Sequence, residues 1–483
     1  GGPARESLIA RHSRNTAAER TGALGPTSPP ACVAQCPQVG RADPAGRSRG
    51  RRARPSIELI AEEATITDTV STDPRGLIFI TPSAFEDMEH WHEVAAEIRR
   101  DTPVLRVEEE GWPSFWAITR HADVFEVSRR SDVFWNTQRS APGPDITYDM
   151  LQAMGFELPR TLVHLHGPVH QKYRQVTNDW FKPAAVRGLQ PAIDAIADEF
   201  ADKLADFGGE CDFAQDIAVP FTLRVIMSIF GVPQTDERLM LELTQGLFGA
   251  GDPEYLGDFA DPFDLLAGSL QKFRAYFEAL TAERRAHPTD DLATVLANGE
   301  VDGAPLGETE LLWYYIIVAT AGHDTTSFAL SGGLEQLLRH PDQLRSVQAD
   351  PDLAVNAAEE MIRWTSPVRS FFRWAQEDVD LGGTRIAKGD VVLTSYPSAN
   401  RDDEVFVDPM RFDVHRPDAD KLLSFGLGVH YCLGSQVARR EVRTLLTKVL
   451  ERVDTIDFAG EPQWSSAHFV SGVKHLPVHY TLR

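Results

Sequence analysis

The chain has 483 residues, 42% hydrophobic and 25% charged, a composition in the globular range. Its formal net charge of −23, from 71 acidic against 48 basic side chains, argues against nucleic acid as a main partner. The longest apolar run, Leu311 to Ala319, is too short to span a bilayer, and the four cysteines (Cys32, Cys36, Cys211 and Cys432) make no disulfide framework. The expectation is a protein without a membrane anchor, in a reducing cytoplasm.

Residues 1–56 stand apart. They carry ten arginines and no lysine, with only Glu6, Glu19 and Asp43 as acids. Such a composition suits a transit peptide or a disordered extension, and the extension is the expectation. After it, Phe85 to Arg100 has helical spacing, and Val104 to Thr119 alternates as strands do around a turn at Gly111-Trp112-Pro113-Ser114. A short helix over Ala122 to Ser128 leads to an irregular stretch, residues 136–160, of the kind that often carries function.

Pro168 suits the first turn of a helix on which His170 and Arg174, four apart, share a face. That pair matches an anionic ligand, although alone it is usually a solvated face. Amphipathic helices follow: one with Ile193, Ile196, Phe200, Leu204 and Phe207 stops at Gly208-Gly209, and others cover Pro220 to Phe230, Glu237 to Leu247 and Leu265 to His287. Residues 245–265, rich in Gly, Asp and Pro, read as a flexible lid.

Glu308 to Arg339 reads as one long helix ended by His340-Pro341. Its middle, Thr320-Ala321-Gly322-His323-Asp324-Thr325-Thr326-Ser327, violates helix propensity. Thr325 shares a face with Ala321 and Gly322, so a hydroxyl could stand in a slot above a flat cofactor; Asp324 is rotated about a hundred degrees away. The pair reads as a proton relay, or as a threonine bonded back to a helix carbonyl beside an exposed acid. Glu360 and Arg363 are an i,i+3 pair, Lys388-Gly389-Asp390 turns into a strand at Val391, and Arg416 lies in a later irregular segment. Last comes the loop Phe425-Gly426-Leu427-Gly428-Val429-His430-Tyr431-Cys432-Leu433-Gly434, followed by a helical stripe at Ala438, Val442, Leu445 and Val449. Cys432 thus stands at a helix start, where a thiolate is favoured, as a nucleophile or a metal ligand, and no pattern for activating a nucleophile accompanies it.

Phe-Gly-x-Gly-x-His-x-Cys-x-Gly resembles the haem-binding loop of the cytochromes P-450, the haem-thiolate monooxygenases. Ala-Gly-x-Asp-Thr-Thr and Glu-x-x-Arg are similar to two further motifs of that family, in its order. The stretches Ala319 to Ser327, Ser395 to Asp402 and Phe469-Val470 look like its terpineol-hydroxylating branch. The resemblance implies a mainly α fold with small β-sheets over residues 57–483, the haem lying between a long central helix and the Cys-bearing loop.

It implies Cys432 as iron ligand and Asp324 and Thr325 as the proton relay. His170, Arg174, Arg373 and His430 would meet the haem propionates, and Ala321, Gly322, Phe425, Gly426 and Gly434 would flank the haem. Glu360, Arg363 and Arg416 would form a buried core network, with Val368, Phe469 and Val470 near the substrate. The expected cofactors are haem b and O2, with NAD(P)H electrons passing through ferredoxin reductase and a ferredoxin docked near Arg439, Arg440 and Arg443. The expected reaction is hydroxylation of an unactivated C–H bond in a small hydrophobic substrate, a terpenoid or alkyl-aromatic, by a monomer. A peroxide-dependent haem-thiolate enzyme, a steroid or fatty-acid hydroxylase and a non-catalytic haem-binding protein are the alternatives.

Overall fold

A computed structural model describes residues 73–153, 155, 157–248, 252–256 and 262–483. All of these fall in one unit, Thr69–Arg483, and the extension expected over residues 1–56 lies outside the described residues. Helices dominate, with small sheets, as the resemblance implied.

The central element is the helix Glu308–Ala321, buried from Leu311 through Ile316. A helix apolar on every side belongs inside a fold, where each large side chain removed from water contributes roughly 1.5–3 kcal/mol. Its two phenols are not stranded there: Tyr314 Oη lies 2.6 Å from Thr177 Oγ1, and Tyr315 Oη donates to Ala293 O at 3.2 Å. Around it pack the helices Val219–Phe230, Pro262–Ala286 and Leu292–Ala297. The segment Phe213–Phe230 is long and apolar enough to cross a membrane, but 72% of it is buried in this core.

The one long helix expected from Glu308 to Arg339 is two, Glu308–Ala321 and Asp324–Arg339. The break is physical. Gly322 is a weak helix former, and the Ile226 side chain fills the space where its Cβ would stand, 2.6 Å away. The irregular stretch 136–160 contains a helix, Asp145–Ala153. In the segment read as a flexible lid, Pro253–Leu256 forms one helical turn, and Asp252 beside it is buried and bonded to Lys474 Nζ at 2.8 Å.

The main sheet orders Val104–Val107, Phe115–Ile118, Val391–Ser395, Ser370–Ala375 and Phe134–Trp135, all antiparallel neighbours except the parallel pair Phe115–Ile118 and Val391–Ser395. Its Ser370–Ala375 strand carries Arg373 to the site. The helix Ser435–Arg452 runs from the cysteine loop and packs on Pro183–Asp202 and Ala354–Thr365, which fixes the loop from below.

Candidate active site

The cysteine loop is built on two left-handed glycines. Gly426 has φ 65° and Gly428 φ 71°, and a Cβ on Gly428 would stand 2.8 Å from the carbonyl oxygen of Ser128, so only glycine fits. Gly434 has φ −83° and open space around it; it serves as the residue before the helix Ser435–Arg452, not as a strained turn. The Cys432 N–H donates to Phe425 O at 2.9 Å, closing the loop.

Cys432 is open to a cavity of about 490 Å3 and otherwise walled in by protein. That enclosure reverses one expectation. Burial pushes the thiol up, and the N–H groups of Gly434 and Ser435 and the guanidiniums of Arg174 and Arg439 offset it only in part.

On another wall of the same cavity is the helix break. Ala321 is exposed although it lies deep in the fold, again because it faces the cavity. Thr325 lines it too, with its hydroxyl donating to Ala321 O at 2.9 Å, so the back-bonded alternative is realised at a residue that also faces the cavity. Asp324 is not a freely solvated acid. Its Oδ1 lies 3.1 Å from His323 Nδ1 without the alignment of a hydrogen bond, and His323 Nε2 is 3.0 Å from Thr244 Oγ1. Burial raises the Asp324 carboxyl, opposed by His323.

The expected propionate contacts converge. His170 is 1% exposed, both its ring nitrogens lack partners, and its ring lies 4.1 Å from that of His430, whose Nε2 is also unpartnered and buried. Burial, then Arg174 and His166, lowers His170 to about 4; burial and Arg373 hold His430 far below the usual histidine range. Arg174 donates to Tyr431 O at 2.7 Å and Arg373 to Phe372 O at 2.8 Å, and neither has a carboxylate partner among the described residues. A buried corner of cations and orphaned imidazoles calls for an anion. His166, not singled out in the sequence, joins this corner: it stacks on Trp135 at 4.5 Å and its ring is 6.4 Å from His430. Its spacing of four from His170 was the available signal.

The core network is fully enclosed. Arg363 Nε donates to Glu360 Oε2 at 2.6 Å and Nη2 to Oε1 at 2.8 Å, with both side chains at 0% exposure, and Arg416 Nε reaches the same carboxylate at 3.1 Å. Val368, Phe469 and Val470 all line the cavity: Val368 bridges Val470, and Phe469 stands edge-on to Phe371 at 5.4 Å. The basic patch changes membership. Arg439 is turned inward, stacked 4.4 Å over Phe425 and paired with Glu359 at 2.5 Å, while Arg440 lies in the field of Arg443 and Arg187. A residue the sequence reading missed, Glu441, is buried beside the cavity, with Oε1 unpartnered and its carboxyl pushed up to about 8.

One thiol, apolar walls and an anion-seeking corner of unpaired cations fit a flat apolar cofactor that carries a thiolate-seeking metal and anionic edge groups. Residues 142–469 match the family model "Cytochrome P450". Cytochrome P450-terp of a Pseudomonas species is 36% identical over 417 residues, covering 83% of this chain and 96% of that protein. A steroid C26-monooxygenase of Mycolicibacterium smegmatis is 32% identical over 397 residues, covering 80% and 90%. The crystal structure of CYP108D1 from Novosphingobium aromaticivorans matches with a TM-score of 0.78 at 38% identity, covering 85% of this chain and 98% of that one. With the thiol loop, the broken helix facing it and these likenesses together, the chain belongs to the cytochrome P450 family: it has that fold and is an oxidoreductase, a monooxygenase that uses cysteinate-ligated haem and O2.

Proposed function

We propose that this monooxygenase hydroxylates a compact terpenoid-class substrate, with Cys432 as the haem ligand and electrons arriving from a ferredoxin. The observation that carries the assignment is the single cavity on which Cys432, Ala321 and Thr325, and the orphaned His170 converge. Haem bound through Cys432 supplies a thiolate-ligated iron at which one atom of O2 is inserted into a C–H bond.

The chain's own residues do the rest. His170, Arg174, Arg373 and His430 hold the propionates, relieving the burial of unpaired cations. Ala321 and Gly322 keep one wall of the cavity free of bulky side chains. Thr325 can turn its hydroxyl from Ala321 O toward the cavity, and Asp324, beside His323, holds and passes a proton to it. Val368, Phe469 and Val470 supply apolar contact to the substrate. The terpenoid assignment is supported by the likeness to P450-terp, and a steroid is its competitor because of the likeness to the C26-monooxygenase. The ferredoxin would meet Arg187, Arg440 and Arg443 on the cysteine side.

The test is a substrate panel of monoterpenoids, alkyl-benzenes, steroids and fatty acids, read by the haem spin-state shift and by NADH-dependent oxygen use with a ferredoxin system. A response from the terpenoids, and diversion of electrons to hydrogen peroxide in Thr325→Ala, is expected. A response confined to steroids or long fatty acids refutes the substrate class. Full coupling in Thr325→Ala refutes the relay.

A further inference from the structure

The cavity wall is apolar over most of its extent, with side chains such as Leu151, Leu247, Trp313 and Ile317, yet it includes one histidine that the haem-binding corner does not use. His164 sits in a tight turn. Its own N–H and that of Leu165 both donate to Thr161 O, at 2.9 and 3.2 Å, so the backbone that carries the ring is fixed.

The ring is fixed as well. His164 Nδ1 lies 2.7 Å from Thr161 Oγ1, and that hydroxyl oxygen also accepts the Val163 N–H at 3.3 Å. Thr161 is buried. If its oxygen accepted a second proton from Nδ1–H, its own hydroxyl hydrogen would have no acceptor among the described residues, and a buried unmade hydrogen bond is costly. Donating that hydrogen to Nδ1 satisfies the hydroxyl and Nδ1 together. The ring proton is then on Nε2, which has no hydrogen-bond partner among the described residues, on a ring that lines the cavity.

His164 also differs in surroundings from its neighbours. Arginines bear on His166, His170 and His430, but only burial acts on His164, which it lowers to about 3. The ring therefore stands outside the cationic corner and stays neutral throughout the physiological range. It offers one N–H to an apolar chamber and no charge.

We propose that His164 Nε2–H is the orienting contact for the substrate, and that the natural substrate is a compact hydrophobe carrying a single hydrogen-bond-accepting oxygen (alcohol, ketone or ether) rather than a hydrocarbon or a carboxylate. Thr161 acts as a positioning residue by selecting the tautomer. This inference rests on the monooxygenase reading above and narrows its substrate class.

The experiment uses the haem-loaded full chain and matched pairs of ligands, each an oxygenated molecule and the hydrocarbon of the same skeleton, drawn from monoterpenes, alkyl-benzenes and steroids. Binding is read by spin-state titration in the parent protein, His164→Leu, His164→Gln and Thr161→Val. The parent should prefer the oxygenated member of at least one pair by about tenfold or more, as expected when a buried donor would otherwise go unpaired. His164→Leu should erase that preference by weakening the oxygenated ligand alone. His164→Gln, which keeps an N–H at similar reach, should restore much of it. Thr161→Val should weaken the preference without changing hydrocarbon affinity.

The ferrous–CO thiolate spectrum of each variant reports that its site is intact. Should His164→Leu lack that spectrum, the comparison of the parent with His164→Gln and Thr161→Val still decides. No oxygen preference in any pair, or a preference unchanged in the intact variants, overturns the role of His164 while leaving the monooxygenase reading standing. Absence of the thiolate spectrum in the parent protein would instead overturn the monooxygenase reading.

Discussion

Replacing Arg363 by alanine should leave no stable haem-binding protein. Arg363 is fully buried and donates five hydrogen bonds: two to Glu360, and others to Asn400 O at 2.6 Å, Pro409 O at 3.1 Å and Arg411 O at 3.4 Å. Breaking a buried ion pair from one side costs about 3–5 kcal/mol. Each buried carbonyl stripped of its donor adds about 1–3 kcal/mol. Glu360 keeps Arg416 and the Asp413 N–H at 2.9 Å, which limits the first contribution. Arg411 O keeps the Arg416 Nη2 donor, so two carbonyls, Asn400 O and Pro409 O, are left without one. The sum before the relief at Glu360, about 5–11 kcal/mol, is comparable to the whole stability of an ordinary domain, about 5–15 kcal/mol.

The damage also reaches the site along a traceable route. Asn400, whose carbonyl Arg363 holds, donates through Nδ2 to Ser424 Oγ at 2.8 Å and accepts Leu423 N–H through Oδ1 at 2.7 Å, and Ser424 directly precedes the cysteine loop. The assay is soluble yield, thermal melting by circular dichroism and the ferrous–CO thiolate spectrum, with Arg363→Lys as the intermediate case that keeps charge but loses the planar fork. If Arg363→Ala melts within a few degrees of the parent and keeps the thiolate spectrum, the network does not brace the loop and the reasoning fails.

Gly428→Ala combines a left-handed φ of 71° with a Cβ 2.8 Å from Ser128 O, so it should lower the thiolate-ligated fraction and the melting temperature. Gly434→Ala meets neither obstacle and should be mild; equal effects in the two spectra would contradict the geometry. Glu441 titrates near 4.5 when unfolded but near 8 in the fold, so from about pH 4.5 to 8 the native state holds a proton that the unfolded chain has lost, and stability falls as pH rises. Glu441→Gln should thus stabilise by up to about 3 kcal/mol at pH 7 and not at all at pH 4. Parallel melting-temperature curves against pH would refute this.

The cysteine loop and the order of the chemical residues were legible in the sequence, because each rests on short-range constraints, and the fold class followed from the likeness of those motifs to a known family. A positive-φ glycine, a helix start after a cysteine and a three- or four-residue spacing on one helix are all written along the chain. The likeness of those motifs to a known family then located Glu360 with Arg363 and Arg416, although nothing local distinguishes a buried ion pair from a surface one.

What the sequence could not decide depended on partners distant in the chain. The need for glycine at 322 comes from Ile226 lying where a Cβ would stand; the inward turn of Arg439 needs Glu359 and Phe425; and the raised Cys432 thiol follows from walls contributed by many segments. Glu441 looked like any acid on an amphipathic helix, and His164 like any polar residue in a loop. Local sequence determines which groups a segment carries and how its backbone bends. Burial, and therefore protonation, pairing and access to the cavity, belongs to the assembled tertiary structure, because desolvation depends on every neighbour at once.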